Sequence, residues 1–315
     1  MKYILFLLVC ILPLYFPGTL SADASSTPSP EVLIWEAVHK DLPGKLYLAG
    51  TLHAAPRSLY PLDSTYDRVL NEASGIGVEI REEEMSELPA LISRYGYFGA
   101  GSGKLSNCFS FLDFQKVCSF FMQHNPQYTP GELDRHRPWL LYTHAVHILL
   151  LKYPEYKTEY AMEKIILRHG GNRSVFSLET AESQIRFLAL VPDRDSARLL
   201  LETISQTEKA GKDLEQILLS LKSGKIDPLE KMIREIHFKY PVFHKNLLAE
   251  RNRIITEKLM HRLRKQETVL ILVGAAHLAG AQSIPALLLE RGCTLKQLSA
   301  SGKSGKIAPD LPVKK

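Results

Sequence analysis

Two apolar runs, one near each end of the chain, are followed by the same short turn, Gly-x-x-His. The first turn is GTLH at 50–53 and the second is GAAH at 274–277. Because glycine lets the backbone turn sharply out of a strand, a residue three positions later can point back over the sheet edge. The motif alone is common, but its repetition after two strand-like runs predicts that both ends of the chain contribute to one site.

The remaining pattern divides the chain into strand-like ends and a helical middle. Between 84 and 263 the apolar periodicity is mainly helical, ending in a helix expected over 227–263, and a further helix is expected over 277–291. The strand-like runs are 32–37, 45–50, 76–80, 175–178, 268–273 and 293–298. Since isolated hairpins are only marginally stable, the terminal strands are expected to share one sheet. We therefore predict one mixed α/β (α+β) domain, with a central mixed sheet built from N- and C-terminal strands and a long helical insertion.

The ends of the chain read as export and solvent-exposed segments. Lys2 precedes an almost unbroken apolar run of 14 residues, 3–16, which is the pattern of a secretory signal peptide. A membrane span needs about 20 residues, so an uncleaved anchor is the less favoured alternative. The predicted division is 1–22 signal peptide, 23–30 linker, 31–300 domain and 301–315 disordered basic tail. An exported protein of this kind would be periplasmic or extracellular.

The formal charge of +5 comes mostly from outside the predicted domain. Lys2 lies in the signal, and the tail carries four lysines against one aspartate, which leaves a nearly neutral body. A neutral body lacks the basic surface that nucleic-acid binding requires. The tail lysines would support weak contact with an anionic membrane surface. Nothing in the pattern indicates the oligomeric state.

Four polar side chains fall at or just beyond the ends of predicted strands. His53 and His277 follow terminal strands, Glu79 lies near the end of a short strand, and Glu179 directly follows another. In open α/β sheets the carboxyl ends of the strands line the ligand crevice. Two imidazoles and one carboxylate would leave open positions on a divalent ion, as catalytic metal sites require. The second carboxylate would act as a general base or orient a ligand histidine, although a histidine after a strand is also common as a turn or core residue.

Several segments resemble the TraB/GumN family, whose wider relatives include the Tiki proteases and the erythromycin esterase-like and ChaN-like proteins. The matching segments are LIWEAVHKDLPGKLYLAGTLHAAPRSLYPL, IGVEI, SLETAESQ, LLAERNRIITEKL and LILVGAAHLAGAQSIPALLLERG. The resemblance covers roughly residues 32–298, and the paired Gly-x-x-His turns are the family hallmark. It implies a mixed α/β fold. For the Tiki-like branch it implies metal-dependent peptidase activity with Mn²⁺ or Co²⁺, and Zn²⁺ is a further candidate.

The resemblance also assigns residues. His53 and His277 are similar to the hallmark histidines, Glu79 to the glutamate after the first turn, Glu179 to the glutamate of the LET-x-x-x-Q segment, and Arg251 to the arginine of an Arg-Asn pair. A guanidinium at that place would hold a substrate carboxylate or stabilise an oxyanion. Otherwise Arg251 belongs to a solvated helix face.

Two further positions, Gln184 and Asn252, complete those motifs. One position departs from the pattern. The family often has an aspartate ahead of the helix that precedes the LET segment, and this chain has KTEY there, at 157–160.

The sequence thus predicts an exported metal-dependent hydrolase, a Tiki-like metallopeptidase acting on a peptide or small-molecule substrate. His53, Glu79 and His277 would bind the metal, and Glu179 and Arg251 would be catalytic. The alternative is a non-catalytic exported protein that binds or sequesters a peptide or haem-like ligand in the same cleft, because the chain shows no Ser or Cys nucleophile motif. A third hypothesis is an envelope interaction module that uses the basic tail.

Overall fold

A computed structural model describes residues 31–206 and 209–309 of the chain. The predicted signal peptide and linker, and the end of the predicted tail, lie outside these ranges. The strands are β1 (Glu31–His39), β2 (Lys45–Thr51), β3 (Ala55–Pro56), β4 (Gly75–Val78), β5 (Tyr156–Lys157), β6 (Ser174–Ser177), β7 (Thr268–Gly274) and β8 (Cys293–Ser299). The α-helices are α1 (Ser64–Glu72), α2 (Leu88–Tyr95), α3 (Phe111–His124), α4 (Pro130–Leu133), α5 (Pro138–Leu150), α6 (Met162–His169), α7 (Ala181–Ala189), α8 (Asp193–Ser205), α9 (Lys209–Ser223), α10 (Asp227–Lys239), α11 (Pro241–His244), α12 (Glu250–Leu263) and α13 (Ile284–Glu290).

Six strands form one sheet in the order β6-β4-β7-β2-β1-β8, while β3 and β5 form a separate two-stranded pair. β6, β4, β7 and β2 are mutually parallel, and β1 pairs antiparallel with both β2 and β8. The sheet is therefore mixed and joins both ends of the chain through a helical insertion, as predicted. Its four parallel strands end at the same edge.

Both faces of this sheet are covered, which explains why β2 and β7 read as continuous apolar runs. On one face Tyr47 and Ala49 pack into a large core that includes Trp139 and Phe121 from the helical insertion. On the other face the alternate residues of β2 and β7 pack against α12 and α13. The sheet is thus the middle layer between the insertion and the two C-terminal helices.

Two helix boundaries differ from the sequence prediction, one because of a helix cap and one because of a proline. The helix expected over 277–291 begins only at Ile284, after the Ser283 cap, and His277 lies on a 3₁₀ turn, Ala275–Leu278. The helix expected over 227–263 is interrupted at Pro241, since proline has no amide hydrogen to donate and restricts the residue before it. Within the part of the chain that the structure describes, no helix is long and apolar enough to cross a membrane.

The predicted tail is partly ordered, so that prediction is wrong for residues 301–309. The Leu62 N–H donates to the Ile307 carbonyl at 3.1 Å, and the Ser64 N–H donates to the Lys303 carbonyl at 2.9 Å. Ile307 is fully buried. One buried isoleucine and backbone hydrogen bonds hold this segment beside the start of α1, so the sequence shows no apolar periodicity there.

Replacing Ile307 with alanine is expected to lower the free energy of unfolding by about 2–4 kcal/mol, because it empties a filled core position. The neighbouring Lys306 side chain is exposed, so Lys306→Ala is the matched control, with a change within about 0.5 kcal/mol. Urea denaturation of the two variants measures both values. Equal, small effects would show that the end of the domain does not depend on Ile307.

Candidate active site

The four parallel strands are each followed by one of the predicted site residues. Across the sheet from β6 to β2, these residues are Glu179, Glu79, His277 and His53. Chain segments separated by more than 200 residues thus meet at one edge, as the duplicated turns predicted. Along this edge the side chains form two groups, a carboxylate network around Arg251 and a pair of imidazoles.

Glu79 comes directly after β4 and has both carboxylate oxygens in hydrogen bonds. Its Oε1 accepts the Gly274 N–H at 2.8 Å, and its Oε2 accepts from Arg251 Nη2 at 2.7 Å and Gln184 Nε2 at 3.1 Å. Burial would raise the pKa of Glu79, but the Arg251 charge, the two nearby imidazoles and the Gly274 N–H together lower it to about 2. Glu79 is therefore a fixed, ionised carboxylate at neutral pH.

Arg251 is fully buried and connects both glutamates. Its Nε donates to Glu179 Oε1 at 2.9 Å, its Nη2 donates to carboxylate oxygens of both Glu79 and Glu179, and its Nη1 donates to the Leu247 carbonyl at 3.2 Å. Burial lowers the pKa of Arg251, but the two carboxylates outweigh it and raise that pKa above its usual value. Arg251 therefore holds the carboxylates of Glu79 and Glu179 in position. Glu179 in turn fixes the orientation of Arg251 and Gln184.

His277 is fully buried, and its bonding pattern fixes its tautomer. Asn252 Nδ2 donates to the Gln282 carbonyl at 2.7 Å, so Asn252 Oδ1 is the atom that faces His277 Nδ1. We therefore assign the ring proton to Nδ1 and a free lone pair to Nε2. His277 Nε2 has no hydrogen-bond partner and lies 3.7 Å from Glu79 Oε1. Burial and then the Arg251 charge lower the pKa of His277 to about 4, so the ring is neutral at neutral pH.

His53 has a similar arrangement at the end of β2. Its Nδ1 is hydrogen-bonded to Glu163 Oε1 in the first turn of α6, and its Nε2 is buried without a partner. Burial lowers the pKa of His53, but the Glu163 carboxylate outweighs it and raises that pKa above its ordinary value. The second oxygen of Glu163 is also without a partner.

The glycines of the two hallmark turns do not need the conformational freedom that the sequence argument gave them. Gly50 lies inside β2 without a positive φ, and Gly274 has φ −52° and ψ 138°. A Cβ at Gly50 would lie 2.5 Å from Leu33 Cδ2. A larger residue at Gly50 would therefore have to displace the buried Leu33 side chain of β1, while Gly274 supplies the N–H that binds Glu79.

The imidazoles fit a divalent ion better than the carboxylates do. A metal-bound histidine usually donates its second ring nitrogen to an oxygen acceptor, and both rings here have Nδ1 beside an oxygen and Nε2 without a partner. No group of three or more His, Cys, Asp or Glu side chains among residues 31–206 and 209–309 is arranged to hold an ion. Glu79 would become the third ligand only by exchanging one of its present hydrogen bonds, so that role stays a prediction.

Glu163 is the one site residue that the sequence argument missed. The Met162 N–H donates to the Leu52 carbonyl at 3.1 Å, which joins the start of α6 to the turn that carries His53. The carboxylate beside His53 thus comes from the first turn of α6, a few residues after the KTEY segment at 157–160. An acidic residue in the first helical turn was the available signal, but such residues are also common as partners of the helix dipole.

A mixed sheet with two Gly-x-x-His turns, two glutamates and a buried Arg-Asn pair at one edge defines a recognisable class of protein. The chain matches the model of the TraB/PrgY/gumN family over residues 33–297. It belongs to that family, as the resemblance of the sequence segments implied. Neither the curated proteins nor the solved structures include a significant match to the chain.

Proposed function

We propose that the chain is an exported metal-dependent hydrolase that cleaves peptide bonds, with a divalent ion bound by Nε2 of His53 and of His277 beside Glu79. The observation that supports it is the pair of buried Nε2 atoms without a partner, each on a ring whose Nδ1 is beside an oxygen. Neutral imidazole nitrogen is the commonest protein ligand for transition metals. Mn²⁺ and Co²⁺ are favoured by the family resemblance, and Zn²⁺ also suits two nitrogens with open positions.

In this proposal the protein residues position the reaction. A divalent ion at the two imidazoles would polarise a substrate carbonyl and make water more acidic. Glu163 and Asn252 hold the two rings through their Nδ1 atoms, which would leave the Nε2 lone pairs for the ion. Of the two glutamates, Glu79 is the one with an oxygen near His277 Nε2, so Glu79 is the ligand or the proton acceptor. Glu179 orients Arg251 and Gln184 and has no direct part in the reaction.

Glu163→Gln is expected to weaken binding of the divalent ion by roughly 10–100-fold, because carboxylates that orient ligand histidines contribute about this much. The matched control is Glu159→Gln, an exposed acid just before α6, which should leave the affinity unchanged. Calorimetric titration of the metal-free proteins with Mn²⁺ measures the two dissociation constants. Equal affinities in both variants would remove Glu163 from the proposed site.

Peptide turnover tests the activity itself. The purified protein is incubated with a peptide library and Mn²⁺, Co²⁺ or Zn²⁺, with and without a chelator. We expect hydrolysis that stops with the chelator and in His277→Ala. Hydrolysis that persists with the chelator would contradict the role of the metal.

The second candidate is a non-catalytic protein that binds a peptide or haem-like ligand in the same cleft. It is favoured by the carboxylates of Glu79 and Glu179, which are hydrogen-bonded to Arg251, Gln184 or Gly274, and by the missing three-member ligand group in the described ranges. Ion binding without hydrolysis of any library peptide would support it.

Export of either kind of protein is part of the proposal. The N-terminal residue of the secreted protein, determined by mass spectrometry, tests cleavage after residue 22.

A further inference from the structure

Two histidines outside the strand-edge site face each other where α10 ends and α11 follows. His237 Nδ1 lies 3.3 Å from His244 Nδ1, with the ring centroids 4.7 Å apart and the ring planes at 82°. His237 is exposed to solvent, whereas His244 is only 6% exposed. The pair thus places two ring nitrogens next to each other, one on an exposed and one on a buried side chain.

The separation of the two nitrogens suits a shared metal ion. Zinc binds imidazole nitrogen at about 2.0–2.1 Å, so two ligands at a tetrahedral angle stand about 3.3–3.4 Å apart. The observed 3.3 Å falls in this range. Without an ion the same contact serves as a ring-to-ring hydrogen bond, because one neutral imidazole can donate to the other.

We propose that His237 and His244 form a second divalent metal site that binds zinc or another ion that prefers imidazole ligands. No third His, Cys, Asp or Glu in the described part of the chain completes it, so water fills the remaining coordination positions. The site is separate from the strand-edge site and does not depend on the function proposed for that site.

The charge state around the pair is compatible with a cation. Burial and the neighbouring His237 ring lower the pKa of His244 to about 4, so this ring is neutral at neutral pH, as a ligand must be. The Lys239 ammonium group, two residues from His237, is paired with Glu202. Its positive charge is therefore offset by a carboxylate.

The position of the pair connects it to the core of the fold. His244 is followed directly by a π-helical turn, Lys245–Ala249, and the Leu247 carbonyl of this turn accepts from Arg251. Such turns within helices are frequent near functional sites. An ion that joins α10 to α11 would restrain the turn, so zinc is expected to raise the temperature of unfolding.

Zinc titration of the full mature protein tests the proposal, with His237→Ala, His244→Gln and the control His124→Ala compared with wild type. His124 is also a helix-end histidine, but its Nδ1 contacts the Phe120 carbonyl of its own helix at 2.8 Å. We expect one zinc equivalent to be weakened by about 100-fold or more in both site variants, since chelation by two linked groups is lost. The control should bind zinc as wild type does.

Equal zinc binding by wild type and His237→Ala would overturn the proposal, and so would an equal loss in His124→Ala, which would indicate adventitious surface binding. His237 is exposed, so this variant decides the matter even if His244→Gln does not fold. Thermal unfolding gives a second measurement, with a larger zinc-dependent rise of the unfolding temperature expected in wild type than in His237→Ala. Zinc that is lost in His277→Ala but kept in His237→Ala belongs to the strand-edge site. The two variants therefore test the two proposed sites separately.

Discussion

Arg251→Met is expected to lower the free energy of unfolding by about 3–5 kcal/mol, the usual effect of removing one partner from a buried ion pair. The guanidinium is fully buried and is the only charge between the carboxylates of Glu79 and Glu179 among the contacts described. Methionine fills a similar volume without charge. The loss of stability therefore comes from two carboxylates that lose their cation rather than from a cavity.

Urea denaturation at pH 7 measures this effect, and Arg253→Met is the control on the same helix. The Arg253 side chain is 57% exposed and pairs with the partly exposed Glu250, so its replacement should change the stability by no more than about 0.5 kcal/mol. If the two variants were equally stable, the buried network would not be the element that holds this edge of the sheet together.

The pH dependence of the stability tests whether the unpaired carboxylates cause the loss in Arg251→Met. In wild type the pKa of Glu79 is depressed to about 2, so its contribution is complete above the unfolded value of about 4.3 and is lost as the pH falls through 2. In Arg251→Met the guanidinium no longer offsets the burial of Glu79, so the pKa of Glu79 rises. The stability difference between the two proteins should therefore narrow as the pH is lowered from 7 to about 4. A constant difference would indicate a packing defect instead.

The position of the site residues at the sheet edge could be predicted from sequence, because it follows from the apolar pattern of the strands before them. β2 and β7 are buried on both faces, so their apolar runs identify them as central strands, and the residues after them must lie at the sheet edge. Glu79 follows from the same argument, since β4 is also buried. β6 is a partly exposed edge strand, so Glu179 was placed only by its position directly after a short apolar run. The family motifs added Arg251, which apolar periodicity alone would have left on a charged helix face.

The contacts inside the site could not be predicted in this way, because they depend on how the helical insertion returns to the sheet. Glu163 meets His53 across 110 residues, and Arg251 meets Glu79 across 172. No local pattern specifies such pairs. The same is true of Ile307, a single apolar residue without periodic neighbours that is buried by a distant element.

The second large effect expected is loss of metal from the strand-edge site. His53→Ala and His277→Ala each remove one of the two unpartnered Nε2 atoms, and an ion that keeps only one imidazole loses chelation, so we expect affinity to fall by about 100-fold or more. The His277 ring is fully buried and bonded to Asn252, so its replacement also carries a risk to folding. His53 is 13% exposed and is the safer variant. Circular dichroism of each variant separates loss of metal from loss of fold.

Elemental analysis of the purified protein, beside His53→Ala and His277→Ala, tests the central claim most directly. We predict that wild type and His124→Ala carry one more equivalent of divalent metal than either folded site variant, whatever metal His237 and His244 retain. Metal content that is the same in wild type and in folded His53→Ala and His277→Ala would contradict a metal site at the two imidazoles.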